Sequence, residues 1–154
     1  MIDGYWLPVR DGDARAYALY DRHYATHHYR DTRRQRDRRF VGPGEHMVLL
    51  TATEDALFVW RHMLRPDLGG QEGVACSIFR NEGSVLSSVL IREACELASR
   101  RWPGLRLFTY VADAKIRSTN PGACFKKAGW RACGRNADGR LTILELLPAQ
   151  VVAA

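Results

Sequence analysis

Three groups of residues in this chain carry side chains able to do chemistry. The first is Arg80-Asn81-Glu82-Gly83-Ser84, at the end of an apolar run over 74–80, with Ser87 and Ser88 a few residues on. A guanidinium there can hold a carboxylate or a phosphate through two parallel N–H bonds. Asn81, Gly83 and Ser84 can add an amide, backbone N–H groups and a hydroxyl to an anion site, while Ser87 and Ser88 can offer hydroxyls to an anion or a donor carbonyl. The same residues also have ordinary roles: an Arg80 ion pair with Glu82 or Asp113, an Asn81 turn bond, a Ser84 N-cap, and serines that let another element approach. The second group is Tyr110 and Asp113, at the end of a run over 105–111. Asp113 can take or orient a proton, or cap the loop that follows it. Tyr110 can stack or donate a hydrogen bond, or serve as a rim tyrosine; three residues from Asp113, it faces the opposite side of a regular strand. The third is His23-Tyr24 with His27 and His28. On a continuous helix His23 and His27 face one way, as in a two-histidine metal site that the Tyr24 phenolate and a carboxylate would complete; histidines in a basic stretch also contact phosphates. No zinc-type spacing is present.

The elements that must position these groups follow from the hydrophobic pattern. Residues 74–80 read as a strand, 84–101 as a helix stopped by Trp102-Pro103-Gly104, and 105–111 as a second strand. Pro121 starts a short helix that Gly129 ends, and 141–147 reads as a further strand. The helix over 84–101 begins at the Arg80–Ser84 loop, so its positive dipole end faces whatever that loop binds. In open α/β sheets the carboxyl ends of strands border the ligand crevice, which places Arg80, Tyr110 and Asp113 beside it.

Earlier in the chain, 5–10 reads as a short strand, and Asp11 or Asp13 caps a helix through about Tyr24 with Tyr17, Tyr20 and Tyr24 on one side. A strand over 47–52 turns at Thr53-Glu54-Asp55 into a partner over 56–62. Residues 68–73 form a flexible crossing, a candidate lip beside the site, and the tail after Pro148 frays.

Charge is the other strong signal. Of 23 basic residues only Lys115, Lys126 and Lys127 are lysines, and the formal net charge is +6. Arginine dominance itself fits GC-rich coding, but its clustering does not follow from that. Between about residues 22 and 40 fall Arg22, Arg30, Arg33, Arg34, Arg36, Arg38 and Arg39, interleaved with Tyr24, Tyr29 and Phe40 and opposed only by Asp31 and Asp37. Guanidinium forks match phosphate oxygens and tyrosines stack on bases, so the segment reads as a nucleic-acid contact. Its plain alternative is a solvated loop. At 154 residues and 46% hydrophobic composition, the expectation is one domain over 1–154. No apolar run approaches the ~20 residues a membrane helix needs, and the start shows no secretory pattern. With no C-x-x-C pair, Cys76, Cys95, Cys124 and Cys133 read as reduced thiols, which points to a cytoplasmic protein.

The order strand, helix, strand, short helix, strand, with Phe125-Lys-Lys-Ala-Gly-Trp130 closing the short helix, resembles the Gcn5-related N-acetyltransferase superfamily over roughly 47–147. The resemblance implies a mixed central sheet flanked by helices. Arg80-Asn-Glu-Gly83-Ser-Val85 is similar to that family's phosphate loop, except that Val85 replaces a small residue; Phe125 stands where many members carry the tyrosine that protonates a departing thiolate. A narrower likeness accommodates both departures. The Mom-type DNA-modification proteins of phages share the fold, decorate the exocyclic amine of adenine, and are thought not to use a conventional acyl-coenzyme A donor. Their His-Tyr dipeptide, strand-end Arg, helix-start Ser and strand-end Asp correspond by order to His23-Tyr24, Arg80, Ser87 or Ser88, and Asp113.

That resemblance implies a transferase adding a small acyl or carbamoylmethyl-type group to the N6 amine of adenine in double-stranded DNA. Asp113, Tyr24, Arg80, Ser87, Ser88 and Tyr110 would be its catalytic residues, with Arg80, Asn81, Gly83 and Ser84 on the donor. Arg30, Arg33, Arg34, Arg36, Arg38 and Arg39 would lie on DNA, and iron would sit at His23, Tyr24 and His27. Two other readings stand beside it: an acetyl-coenzyme A-dependent N-acetyltransferase acting on a small amine or a protein terminus, and a nucleic-acid-binding module that keeps the fold without catalysis.

Overall fold

In the computed structural model, residues 4–22, 39–67, 69–112 and 122–151 are described. They form a mixed α/β structure around a seven-stranded sheet: β1 Trp6–Val9, β2 Glu45–Thr51, β3 Ala56–His62, β4 Val74–Asn81, β5 Leu107–Ala112, β6 Arg131–Arg135 and β7 Leu141–Leu146. The helices are α1 Ala14–Asp21, α2 Ser87–Arg101 and α3 Ala123–Lys127. Among the described residues no helix is long and apolar enough to cross a membrane.

The spatial order of the strands is β1-β2-β3-β4-β5-β7-β6. All neighbours are antiparallel except β4 and β5, which run parallel because α2 lies between them in the chain. That parallel pair is short: Val74, Ala75 and Cys76 face Leu107, Phe108 and Thr109. Beyond it β4 stays with β3 as far as Asn81, and β5 stays with β7 as far as Ala112. The carboxyl halves of β4 and β5 therefore part, and the sheet opens between them.

A bulge accompanies the parting. Trp60 pairs with Cys76 and Val59 with Ile78, so Ser77 is an extra, exposed residue on β4. An inserted residue bends a strand and reverses its side-chain alternation. Cys76 and Phe79 consequently both lie on the α2 face, whereas Ile78 packs on the α1 face. Arg80 pairs with Leu57, a residue of the α1-face core, and Asn81 pairs with Ala56, a residue of the α2-face core.

Each face has its own core. Trp6, Phe58, Trp60, Phe125 and Trp130 pack with Leu90, Ile91, Ala94 and Ala98 of α2 on one side. Ala16 and Leu19 of α1 cover Val48, Leu50, Leu57, Val59 and Ile78 on the other. Two indoles fasten α2 to the sheet: Trp6 Nε1 donates to the Leu90 carbonyl at 2.8 Å and Trp60 Nε1 to that of Ala94 at 2.9 Å. These acceptors lie four residues apart, so both tryptophans meet one stripe of the helix.

Three local expectations change. α2 starts at Ser87, capped by the extended backbone of Leu86 (φ −57°, ψ 132°), so Ser84 is not its N-cap. Asn81 explains this: its Nδ2 donates to the Val85 carbonyl at 2.7 Å and to Ser87 Oγ at 3.0 Å, which holds 82–86 as a loop. α1 ends at Asp21, short of Tyr24, with Asp13 as its N-cap. Asp11 instead accepts from the backbone N–H groups of Phe40 and Val41. The third change is β6, an edge strand absent from the sequence reading; all five of its residues are exposed.

Candidate functional site

The opening between β4 and β5 has two lips. On the β4 side, Arg80 is committed to protein partners. Its Nε donates to Glu82 Oε2 at 2.6 Å and its Nη1 to the Arg22 carbonyl at 2.8 Å. Arg22, at the end of α1, grips the same carboxylate with Nε at 2.7 Å and Nη2 at 2.9 Å. Glu82 thus lies between two guanidiniums, first Arg22 and then Arg80, which pull its carboxyl down to about 2. Of the two roles open to Arg80, the ion pair with Glu82 is the one formed.

Behind this lip the loop over 82–86 rests on residues the sequence did not mark as a site. Asp55 accepts from the hydroxyls of Thr51 at 2.9 Å and Thr53 at 2.7 Å, and the Thr53 bond leads in holding its carboxyl below the usual range. The Asp55 carbonyl accepts the Glu82 N–H at 2.7 Å. A Cβ on Gly83 would come within 2.3 Å of the Asp55 carboxylate, so this glycine is there for close approach. The Gly83 N–H donates to Asn81 Oδ1 at 2.9 Å. Asn81 therefore makes three bonds that fix the loop against the first turn of α2. Ser87 takes part through its hydroxyl; Ser88 is the second residue of the helix, and Ser84 is exposed in the loop.

On the β5 side, Tyr110 is the first residue past the parallel pairing, and alternation with buried Thr109 and Val111 places it on the same face as Arg80. Its hydroxyl donates to Asp67 Oδ2 at 2.5 Å. Burial first, then the Asp67 carboxylate, push the phenol well above its ordinary range, so it stays a donor. Asp67 Oδ1 also accepts from the N–H groups of Gly69 at 2.9 Å and Gln71 at 2.7 Å. The described part of the 68–73 crossing is therefore tied down beside Tyr110. Asp67 escaped the sequence reading, although an Asp before a Gly-Gly pair is a recognisable signal for a side-chain-closed turn.

Beyond Tyr110 on this face, Glu145 of β7 is 7% exposed and bridges Arg106 Nε, just before β5, at 2.8 Å and Arg131 Nη2 of β6 at 2.9 Å. Arg106, first, and Arg131 lower its pKa.

Several expected site residues lie outside the described residues: Asp113, His23, Tyr24, His27, and Arg30, Arg33, Arg34, Arg36 and Arg38. Their neighbours in the chain are placed. His23 follows Arg22, whose carbonyl Arg80 holds, and Asp113 follows Ala112 at the end of β5. Arg39 is exposed, next to Phe40, which stacks on Tyr20 with ring centroids 4.6 Å apart. Among the described residues no group of three His, Cys, Asp or Glu side chains could hold a metal ion. The cysteines are free; burial pushes the Cys95 thiol up to about 12 and that of Cys76 well above its ordinary value. Neither is a nucleophile at neutral pH. No protein-family model matches the chain, and no curated protein matches it either.

Proposed function

We propose that the chain is a transferase with a Gcn5-related fold, similar to the Mom-type proteins, that modifies the exocyclic amine of adenine in double-stranded DNA. The observation that carries this reading is the parting of β4 and β5 after three paired positions, with Arg80 and Tyr110 on one face of the two lips. A bulged β4, a lone parallel strand pair and a helix beginning beyond the strand end support the fold assignment. The basic charge and the arginines that follow Arg22 in the chain support DNA as the partner.

The chemistry asked of the site is limited. The adenine amine shares its lone pair with the ring and is paired within the duplex, so the base must leave the stack before the amine can react. A new N–C bond forms as the donor's leaving group departs with the old bond pair, and the amine loses a proton. Asp113, one residue past Ala112, is assigned as the acceptor of that proton. Tyr110, held neutral and oriented by Asp67, is assigned to packing or hydrogen bonding against the extruded base. Ser87 and Asn81 hold the far lip in shape. Iron is assigned, if present, to His23, Tyr24 and His27.

Acetyl-coenzyme A fits these residues poorly. The N–H of Gly83 is spent on Asn81, the carboxylates of Asp55 and Glu82 border the loop where a pyrophosphate would lie, and Val85 adds bulk there. Phe125 is buried in edge contact with Phe79 and Trp130, ring centroids 6.0 and 4.9 Å away, and brings no hydroxyl. The deciding experiment is nucleoside mass spectrometry of plasmid DNA from cells expressing the chain, with Asp113→Asn as control. A new adenine-derived mass that the control lacks is the expected result. Unmodified DNA together with thiol release from acetyl-coenzyme A would replace this reading with the N-acetyltransferase one.

A further inference from the structure

We propose that Arg22 and Arg80 form a binding fork for a backbone phosphate of DNA, and that Glu82 occupies this fork until DNA displaces it. The inference rests on the DNA-directed reading above and names one contact within it. Two arginines from separate elements, the end of α1 and strand β4, converge on one carboxylate through three N–H···O bonds of 2.6 to 2.9 Å. Arg22 grips it side-on, the geometry that suits the two free oxygens of a phosphodiester equally well. Two guanidiniums meet one carboxylate here, with Asp21 near Arg22 and Asp55 near Glu82, and the exchange is of one anion for another.

Half of the fork is fixed independently of Glu82: Arg80 Nη1 is anchored on the Arg22 carbonyl at 2.8 Å, so the Arg80 guanidinium keeps its setting beside the end of α1 when the carboxylate leaves, and the Arg22 guanidinium exchanges one anion for another. Departure of Glu82 needs only side-chain rotation, because its N–H stays on the Asp55 carbonyl and Gly83 stays against Asp55. All three side chains reach solvent, at 50% for Arg22, 32% for Arg80 and 29% for Glu82. A surface ion pair of this kind is weakly held, whereas a phosphate bound here would release counterions condensed on the duplex. DNA is favoured over other phosphates because the chain leads from Arg22 directly into the arginine-rich stretch.

The test is a binding titration of the full chain with a short DNA duplex between about 50 and 200 mM salt. It compares the unaltered protein, Glu82→Gln, and Glu82→Gln combined with Arg80→Met. Glu82→Gln is expected to bind about fivefold tighter. Its salt slope should equal that of the unaltered protein, because DNA fills the fork in both, and the double variant should lose the gain in affinity together with about 0.9 of the slope as the phosphate contact goes. In parallel, melting of each variant is followed with inorganic phosphate against chloride at matched ionic strength, where phosphate should stabilise Glu82→Gln more than the double variant. DNA binding by all three proteins with no gain in Glu82→Gln would overturn the fork and leave the DNA-directed reading standing. Phosphate stabilisation without duplex binding by any variant would overturn DNA as its ligand.

Discussion

On the α2 face of the sheet, Trp6, Phe58, Trp60, Phe79, Phe125 and Trp130 interlock through edge and stacked contacts 4.6 to 6.2 Å apart, and two of the indoles are hydrogen-bonded to the helix above. On the α1 face the buried core is aliphatic, flanked by the half-buried Tyr20 and Phe40, under an eight-residue helix, and its border is charged: Arg22, Arg80 and Glu82 at one lip, Arg106, Glu145 and Arg131 further on. Aromatic packing pinned by the indole bonds of Trp6 and Trp60 restricts the arrangement, although the buried Trp130 N–H has no hydrogen-bond partner among the described residues. The solvent-reaching pairs of Glu82 can change partners at little cost, whereas Glu145 is buried and held between its two arginines. The α2 face thus behaves as scaffold, and Arg80 and Tyr110, held by the solvent-reaching Glu82 and by Asp67, lie on the other.

The sharpest way to break this contrast is to hollow out each core in turn. Trp60→Ala removes a ring that touches Phe58 and Trp130 and abandons the bond to Ala94; urea unfolding should show a loss of about 3–5 kcal/mol. Leu19→Ala empties the α1-face core instead. It should cost about 2–3 kcal/mol, because a short helix can settle toward the space. Equal losses in the two variants would mean that the faces are equally rigid.

Which parts of this were legible in the sequence follows from the physics of each signal. β2 and β3 declare themselves because runs of burial demand runs of apolar residues, β4 because its buried positions Val74, Cys76 and Ile78 are apolar, and α2 because Leu90, Ile91, Ala94, Cys95 and Ala98 recur at helical spacing. β6 did not: Arg131-Ala-Cys-Gly-Arg135 buries nothing and belongs to the sheet only through pairing with β7. Its one signal was Asp138-Gly139, a turn dipeptide with Gly139 at φ +74°, which marks a hairpin into Leu141. The bulge at Ser77 is a property of register against β3 and leaves no local mark. Asn81 and Arg80 were found because polar residues ending an apolar strand stand out. Asp55 and Asp67, which hold the two lips, look in sequence like any turn aspartate; their partners come from distant parts of the chain.

Asn81 tests the comparison at the lip itself, where it faces α2 although Arg80 and Tyr110 do not. Asn81→Ala strands the Gly83 N–H and frees the Val85 carbonyl and Ser87 hydroxyl, at a cost of about 1–3 kcal/mol in unfolding free energy. Amide exchange at Gly83 and Val85 should rise well above that in the body of α2. If exchange rises along the whole helix, the loop and the scaffold are one cooperative unit and the division drawn above is too sharp.

The smallest expected effect is on the charged border. Glu82 has its pKa depressed from 4.5 to about 2 by Arg22 and Arg80. A group depressed in the folded state stabilises fully above its unfolded value and loses that contribution as pH falls through the folded one. The unaltered protein should therefore exceed Glu82→Gln by no more than about 1 kcal/mol at neutral pH, since the cluster is solvent-accessible. The two stability curves should converge between pH 4.5 and about 2. A difference that persists undiminished at the acid end would show that Glu82 holds α1 through hydrogen bonds that survive protonation. The clamp would then count as scaffold, and the α1 face would have no readily exchanged partner at this lip.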